Sequence, residues 1–93
     1  MPYYVYVLCS EIDKENYVGC TNNLKRRLIE HNAGKVFSTT KRIPLKPIYI
    51  EIYLNQQDAY EREKFLKTGW GKNYLKRVLK NYFREKLSKK LGG

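Results

Sequence analysis

The chain has 93 residues, a length that suits one domain with one compact core. Its hydrophobic content of 42% includes nine Tyr, three Phe and one Trp, which excludes an intrinsically disordered chain despite 30% charged residues. The net charge is +10, and residues 61–93 carry eleven basic against three acidic side chains. This asymmetry favours a polyanionic partner, most simply nucleic acid, although a solvated helix face that keeps a protein soluble gives the same pattern.

The apolar runs and the cysteines limit the location of the protein. The longest apolar runs, such as residues 3–9, fall far below the roughly 18 residues of a membrane span, and no secretory signal pattern is visible. In the hairpin predicted below, Cys9 and Cys20 are separated by roughly 13 Å along the strands, which is too far for a disulfide. Two reduced thiols and no membrane contact favour a cytoplasmic protein.

The first third of the chain predicts a β-hairpin and a helix. Residues 3–8 are rich in β-branched and aromatic side chains, and this character returns at residues 16–19 after a polar stretch. A symmetric register pairs Cys9 with Asn16, Leu8 with Tyr17 and Val5 with Cys20, which brings Tyr6 and Tyr17 to one face of the sheet. A helix is predicted for residues 23–33, capped by one of residues 21–23 and ended by a left-handed Gly34.

The rest of the chain predicts a loop, a strand and two helices. Residues 36–47 lack periodicity and predict a loop with three solvated cations, which are Lys41, Arg42 and Lys46. Residues 47–54 alternate β-formers, Asn55 can cap a helix at residues 57–67, and an apolar stripe beyond Gly71 predicts a last helix. The order β-β-α-β-α-α predicts an α+β fold, a three-stranded antiparallel sheet flanked by helices, as a single domain over residues 1–93.

Five polar side chains suit phosphodiester chemistry. Cleavage needs a nucleophile that is deprotonated or oriented, a cation on the non-bridging oxygens and help for the leaving oxyanion. Arg27 and His31 are four residues apart and share a helix face, near the strands that carry Tyr6 and Tyr17. Glu63 can hold one Mg²⁺ whose other octahedral positions are filled by water. Familiar metalloprotease, nucleotide-binding and hydrolase signatures are absent from the sequence.

In this order and spacing, the residues resemble the GIY-YIG nuclease superfamily. The resemblance rests on Tyr4-Val5-Tyr6, Tyr17-Val18-Gly19, Arg27, His31 and Glu63, and it covers nearly the whole chain. The sequence is most similar to small single-domain members related to the nuclease module of the excinuclease C subunit. Those members share the strand Tyr49-Ile50-Glu51 and the helix motif that begins at Arg62-Glu63.

The resemblance implies a metal-dependent endonuclease acting on DNA, branched or damaged DNA included, with DNA repair as its setting and RNA as an alternative substrate. Tyr17 would be the general base, Tyr6 would bind the phosphate or the water, and Arg27 would stabilise charge on the scissile phosphate. His31 would support proton handling near Tyr17, and Glu63 would anchor Mg²⁺ or Mn²⁺. The expected nucleic-acid contacts are Lys25, Arg26, Lys41, Lys67, Lys72, Asn73 and Lys76.

Two departures from the family pattern concern Tyr4 and Asn73. Tyr4 stands in place of the first Gly of the motif that names the family, and Asn73 is the nearest match to the polar residue expected after the glutamate helix. Two other functions agree with the sequence. One is a nonenzymatic nucleic-acid-binding module of the same fold, and the other is an accessory protein that docks through its apolar C-terminal stripe. Each site residue also has a purely structural reading, such as a half-buried strand tyrosine or a surface histidine.

Overall fold

A computed structural model describes residues 1–92 and the side chains of residues 1–89. The strands are β1 (Tyr3–Ser10), β2 (Asn16–Thr21) and β3 (Leu45–Tyr53). The helices are α1 (Leu24–Asn32), a 3-10 turn at Phe37–Thr39, α2 (Gln56–Leu66), α3 (Gly69–Val78) and α4 (Lys80–Gly92). The strands form one antiparallel sheet in the order β2-β1-β3, so the predicted α+β fold is confirmed.

β1 is the central strand, and its sequence explains why. Six consecutive residues from Val5 to Ser10 are buried, as expected for a strand that is covered on both faces. The hairpin register pairs Cys9 with Asn16, Leu8 with Tyr17 and Val5 with Cys20 as predicted. Both cysteines are free thiols, which confirms that they do not form a disulfide.

α1 packs on the face of the sheet that carries Tyr6 and Leu8. The Asn23 side chain accepts a hydrogen bond from the Arg26 amide and caps the helix, and Gly34 has the predicted positive φ of 76°. Leu24 and Leu28 of the helix pack against Tyr6, Leu8 and Leu45, which form the core on this face. At the other end of α1, the Asn32 amide exchanges two hydrogen bonds, of 2.7 and 3.0 Å, with the backbone of Leu45.

The connection between α1 and β3 differs from the predicted solvated loop. β3 begins at Leu45, two residues before the predicted start. There Leu45 pairs with Ser10 of β1, and its amide donates to the Asn32 side chain. The expectation that Arg42 is solvated is wrong, since its guanidinium lies 2.7 Å from the Asp13 carboxylate. This ion pair lowers the pKa of Asp13 and ties the connection to the hairpin turn.

The chain divides into two compact units, Met1–Glu63 and Lys64 onward. The first unit contains the whole sheet, α1 and most of α2. Nothing in this division tests the expectation of a single domain, which stays a prediction. Among the helices of the described chain, none combines the length and apolar content that a membrane span needs.

In the second unit the helical region is split at Leu79. α3 begins at a Thr68 cap whose hydroxyl accepts from the Gly71 amide and donates to the Phe65 carbonyl. A Cβ at Gly71 would lie 2.2 Å from the Phe65 carbonyl oxygen, so only glycine allows this close approach. Leu79 has φ −109° and ψ 20°, which ends α3 where the apolar pattern predicted one continuous helix. The Trp70 side chain in α3 is 80% exposed.

Candidate functional site

The site is built around Tyr6, which lies on the central strand opposite Gly19 of β2. The Tyr6 side chain is 1% exposed and its ring lies across the backbone of Gly19. A Cβ at position 19 would lie 2.4 Å from both the ring carbon Cζ and the hydroxyl oxygen of Tyr6. Glycine is therefore required beside Tyr17-Val18 because Tyr6 fills the space that any side chain would need.

A chain of buried hydrogen bonds starts at the Tyr6 hydroxyl. Nε2 of His31 lies 2.9 Å from this oxygen, and Nδ1 of His31 lies 2.8 Å from Oγ1 of Thr39. The Thr39 hydroxyl in turn donates to the Val36 carbonyl at 3.4 Å. The Thr39 hydroxyl has one proton, which it donates to the Val36 carbonyl, so it must accept the hydrogen bond from Nδ1 of His31. Nε2 then carries no proton and accepts the hydrogen bond from the Tyr6 hydroxyl. The hydrogen bonds thus assign the Nδ1–H tautomer to His31.

Tyr17 completes an aromatic cluster with Tyr6 and His31. Its ring centroid lies 6.4 Å from that of Tyr6 and 5.0 Å from that of His31, with an edge-on arrangement toward the imidazole. Tyr17 is half-buried, whereas Tyr6 and His31 are buried. Among the described side chains, those of residues 1–89, none hydrogen-bonds to the Tyr17 hydroxyl. The two tyrosines therefore differ, because the hydroxyl of Tyr6 is occupied and that of Tyr17 is available to a ligand or water.

Arg27 is the cation of this cluster. Its guanidinium lies 3.2 Å from the Glu30 carboxylate and interacts with the hydroxyls of Tyr6 and Tyr17, which raises the pKa of Arg27. Burial raises the pKa of Tyr6 to about 12, although the hydrogen bond from Arg27 opposes the shift. Burial and the charge of Arg27 lower the pKa of His31. At neutral pH the site therefore holds a protonated Tyr6, a neutral His31 and a permanent positive charge.

Glu63 supplies the negative charge of the site. Its carboxylate acts electrostatically on Tyr6, where it contributes to the raised pKa. The pKa of Cys20 is also raised, first by burial and then by the charge of Glu63. The structure thus brings Tyr6, Tyr17, Arg27 and His31 into one cluster and places the charge of Glu63 where it acts on Tyr6.

A half-buried ion pair fixes the segment of α2 that carries Glu63. Arg62 makes two parallel hydrogen bonds of 2.9 Å to the two carboxylate oxygens of Glu51 on β3. Tyr53 donates to the same carboxylate at 2.7 Å, and Tyr49 donates to its other oxygen. These donors lower the pKa of Glu51 against the effect of its burial. Since Arg62 precedes Glu63, this bidentate contact holds the last turn of the first unit on the sheet.

A divalent cation fits the donor set at Glu63. In the described part of the chain, no three His, Cys, Asp or Glu side chains gather into a metal-binding cluster. The partly exposed Glu63 carboxylate, whose charge acts on Tyr6, offers oxygen ligands, which Mg²⁺ accepts when water fills most of its octahedral positions. The site would not suit a metal that prefers thiolate and imidazole ligands, because the only imidazole is committed to Tyr6 and Thr39.

The predicted nucleic-acid contacts lie on exposed surfaces. Lys25 and Arg26 are on α1, two positions and one position before Arg27, and Lys41 follows the 3-10 turn. In the second unit Lys67 follows α2, and three further exposed residues lie on α3, which are Lys72, Asn73 and Lys76. All seven side chains are accessible to a ligand in the described chain, and their contacts with nucleic acid stay predictions.

Sequence reasoning missed Thr39 and the contact between Glu51 and Arg62. Thr39 stands in a stretch without periodicity, and only its burial beside the imidazole reveals its role. Glu51 and Arg62 carried a weak signal, because a carboxylate between β-formers predicts a buried charge that needs a partner. The sequence gives no direct sign that the partner is the residue before Glu63.

The chain is similar to known proteins in sequence and in structure. A family model described as the GIY-YIG catalytic domain matches residues 2–76. A UPF0213 protein from Pediococcus acidilactici is 42% identical over 83 residues, which cover 85% of this chain and 82% of that protein. A UPF0213 protein from Clostridium perfringens is 40% identical over 65 residues, 69% of either chain. The solution NMR structure of a UPF0213 protein from Bacillus halodurans has a TM-score of 0.54 and 27% identity, and the match covers 84% of this chain and 85% of that one.

Proposed function

Because this chain belongs to the GIY-YIG family of nuclease-type catalytic domains, we propose that it is an endonuclease that hydrolyses DNA phosphodiester bonds with Mg²⁺ or Mn²⁺. The observation that carries the proposal is the cluster of Tyr6, Tyr17, Arg27 and His31, with the charge of Glu63 acting on it. Burial of a polar imidazole between two hydroxyls costs desolvation free energy, and a role in the proposed chemistry accounts for that cost.

The two tyrosines divide the proton work in this proposal. Tyr6 keeps its proton, since its pKa is about 12 and its hydroxyl donates to His31. The hydroxyl of Tyr17 loses its own proton to solvent beside the positive charge of Arg27, and the resulting phenolate accepts the proton of the attacking water. His31 acts through Tyr6 and by its edge contact with Tyr17, which fixes the ring of the base. The role expected for His31 beside Tyr17 is thus a positioning role.

Arg27 and Glu63 handle the charge on the phosphate. The guanidinium interacts with both tyrosines and neutralises negative charge that develops on the non-bridging oxygens. Glu63 would hold the divalent cation, which polarises the phosphate and stabilises the leaving oxygen. Before substrate binds, the Glu30 carboxylate forms an ion pair with the Arg27 guanidinium at 3.2 Å. This ion pair positions Arg27 and keeps its charge from being unpaired.

The substrate is DNA in this proposal, and RNA is the alternative polymer. The excess of positive charge at residues 61–93 suits a phosphate backbone, and such contacts carry no sequence preference. Branched or damaged DNA, and with it a role in DNA repair, is the substrate class to test first. The two free thiols support a cytoplasmic location.

The test compares plasmid nicking and branched-DNA cutting in Mg²⁺ and in EDTA. We expect nicking that needs the metal and falls about 100-fold or more in Tyr17→Phe and in Glu63→Ala. Glu61→Ala is the matched control, because Glu61 is exposed and, among the described side chains, hydrogen-bonds only with the Gln57 amide, at 3.2 Å. Cutting that persists in folded Glu63→Ala would contradict the metal assignment.

The same samples separate the nuclease from a nonenzymatic module. DNA binding that weakens steeply with salt, without any cutting under either metal, would favour the binding module. Absence of both cutting and binding would favour the accessory protein. In that case the basic residues serve solubility.

A further inference from the structure

We propose that a polar cleft beside the site binds a nucleobase of the DNA strand, an inference that rests on the proposed function and adds a substrate contact to it. The cleft has a volume of about 220 Å³ and is open to solvent. Its walls come from the start of β1, the end of β2 and the first turns of α2. The lining residues are Tyr3, Cys20, Thr21, Asn22, Gln56 and Tyr60.

The chemistry of the walls matches a nucleobase. Tyr3 and Tyr60 present aromatic rings, and Tyr60 is 43% exposed although its hydroxyl accepts from the Gln56 amide at 2.7 Å. The amides of Asn22 and Gln56 add donors and acceptors at the rim. Proteins recognise an unpaired base through stacking on its face and hydrogen bonds to its edge, and both are available here.

Charge separates a base from other ligands. No lining residue carries a full charge, so the cleft is a poor site for a phosphate or a carboxylate. A purely apolar ligand is also a poor match, since the amides and the Thr21 hydroxyl would lose water without gaining partners. A flat heterocycle with polar edges suits these walls best.

The cleft lies next to the proposed metal ligand. Gln56, Tyr60 and Glu63 are at positions i, i+4 and i+7 and therefore share one face of α2. Cys20, in the opposite wall, feels the charge of Glu63. A strand whose phosphate lies at Glu63 can thus place a neighbouring base between Tyr60 and the end of β2. Stacking tolerates every base, which agrees with a nuclease that has no sequence preference.

Cys20 provides a direct probe of the cleft. We would measure the rate of its alkylation by iodoacetamide in EDTA, so that the DNA stays uncut. Cys9 is 2% exposed and serves as an internal control in the same chain. The probes are a short oligothymidylate, an abasic oligonucleotide of equal length, and free thymidine 5′-monophosphate. We expect the oligothymidylate to slow alkylation of Cys20 far more than the abasic strand does.

Tyr60 variants test the stack itself. We expect Tyr60→Ala to weaken oligothymidylate binding about 5- to 150-fold, and Tyr60→Phe to bind like wild type because the ring remains. On the abasic strand, Tyr60→Ala and wild type should bind equally. Equal weakening on both strands would overturn the proposal, because Tyr60 would then act on the backbone or on the fold.

The remaining outcomes separate this proposal from the proposed function. Protection of Cys20 by the mononucleotide but not by the oligonucleotide would overturn the inference, since the ligand would be a free nucleotide. Base-dependent protection of Cys20 in a protein that never cuts DNA would overturn the nuclease proposal and support the base site. DNA cutting without base-dependent protection would support the nuclease proposal and overturn the base site.

Discussion

The backbone of Gly19 on β2 lies directly under the ring of Tyr6 on β1, so closely that a Cβ at position 19 would be 2.4 Å from the Tyr6 hydroxyl oxygen. This hydroxyl is the one that His31 and Arg27 contact. The glycine therefore does more than permit a strand. It determines where the first tyrosine of the site can lie.

Gly19→Ala should displace Tyr6 and disturb the site. The added methyl group overlaps the ring, and overpacking of this kind costs about 1–3 kcal/mol of unfolding free energy. Nicking should fall more than stability alone explains. Gly69→Ala is the matched control, since a Cβ at position 69 meets no atom within 4 Å. Chemical denaturation and plasmid nicking measure the two effects, and a wild-type nicking rate in folded Gly19→Ala would contradict the role of the contact.

Thr39→Val should change the tautomer of His31. The substitution keeps the shape of the side chain but removes the oxygen that accepts from Nδ1 at 2.8 Å. The population of the Nε2–H tautomer, which donates to Tyr6, should then rise, and the population of the Nδ1–H tautomer should fall. Thr39→Ser should retain the native tautomer because it keeps the hydroxyl. Nitrogen chemical shifts of the imidazole measure this directly, and an unchanged tautomer in Thr39→Val would show that Thr39 does not set it.

Acidification should destabilise the fold through His31. The pKa of this residue is lowered in the folded chain, so below about pH 6.5 the unfolded chain binds the proton more readily. Unfolding free energy should therefore fall as the pH drops below about 6.5 and continue to fall until the folded-state pKa is passed. His31 is the only histidine. Urea denaturation between neutral and mildly acidic pH checks the slope, and a flat profile would contradict a buried, neutral His31.

A second loss of stability belongs to more acidic solutions. Glu51 has a lowered pKa in the folded chain, so its contribution is present above the ordinary pKa of a glutamate, about 4.3. It is lost as the pH falls from there through the folded-state pKa. An Arg62→Met variant should lack most of this second phase, whereas the phase from His31 should remain. A second phase of unchanged size in Arg62→Met would contradict the assignment to Glu51.

Arg62→Met should also cost about 2–3 kcal/mol of unfolding free energy at neutral pH. The substitution leaves the half-buried Glu51 carboxylate without its bidentate partner, and the partial exposure of both side chains keeps the cost below that of a fully buried pair. Arg26→Met is the control. Arg26 is exposed and lies as far as 3.9 Å from the Glu30 carboxylate, and such a surface ion pair contributes less than ~1 kcal/mol. Equal effects of the two substitutions in chemical denaturation would contradict the anchoring role.

Local rules predicted the hairpin and the first helix. The pairing of Leu8 with Tyr17 follows from a symmetric turn, and the cap at Asn23 follows from the preference of orphan amides for a side-chain oxygen. Once the register is known, Tyr6 and Tyr17 must share a face. Arg27 and His31 then meet them because four residues make about one helical turn.

Long-range contacts between ordinary polar residues escaped prediction. Arg42 pairs with Asp13, 29 positions away, and nothing in its own segment distinguishes it from Lys41. Thr39 becomes part of the site only because the 3-10 turn brings it under the imidazole. The break at Leu79 was also missed, since the apolar stripe continues across it. These features depend on tertiary packing that periodicity does not encode.

The boundary after Glu63 has a consequence for how such a protein can diversify. All five residues assigned to the chemistry belong to Met1–Glu63, and Glu63 is the last of them. Most of the excess positive charge comes from residues 61–93. On the proposed function, substitutions in the second unit can therefore change the attraction to nucleic acid while the residues proposed for the chemistry stay unaltered. The proposed chemistry and the proposed attraction can thus change independently within one chain of 93 residues.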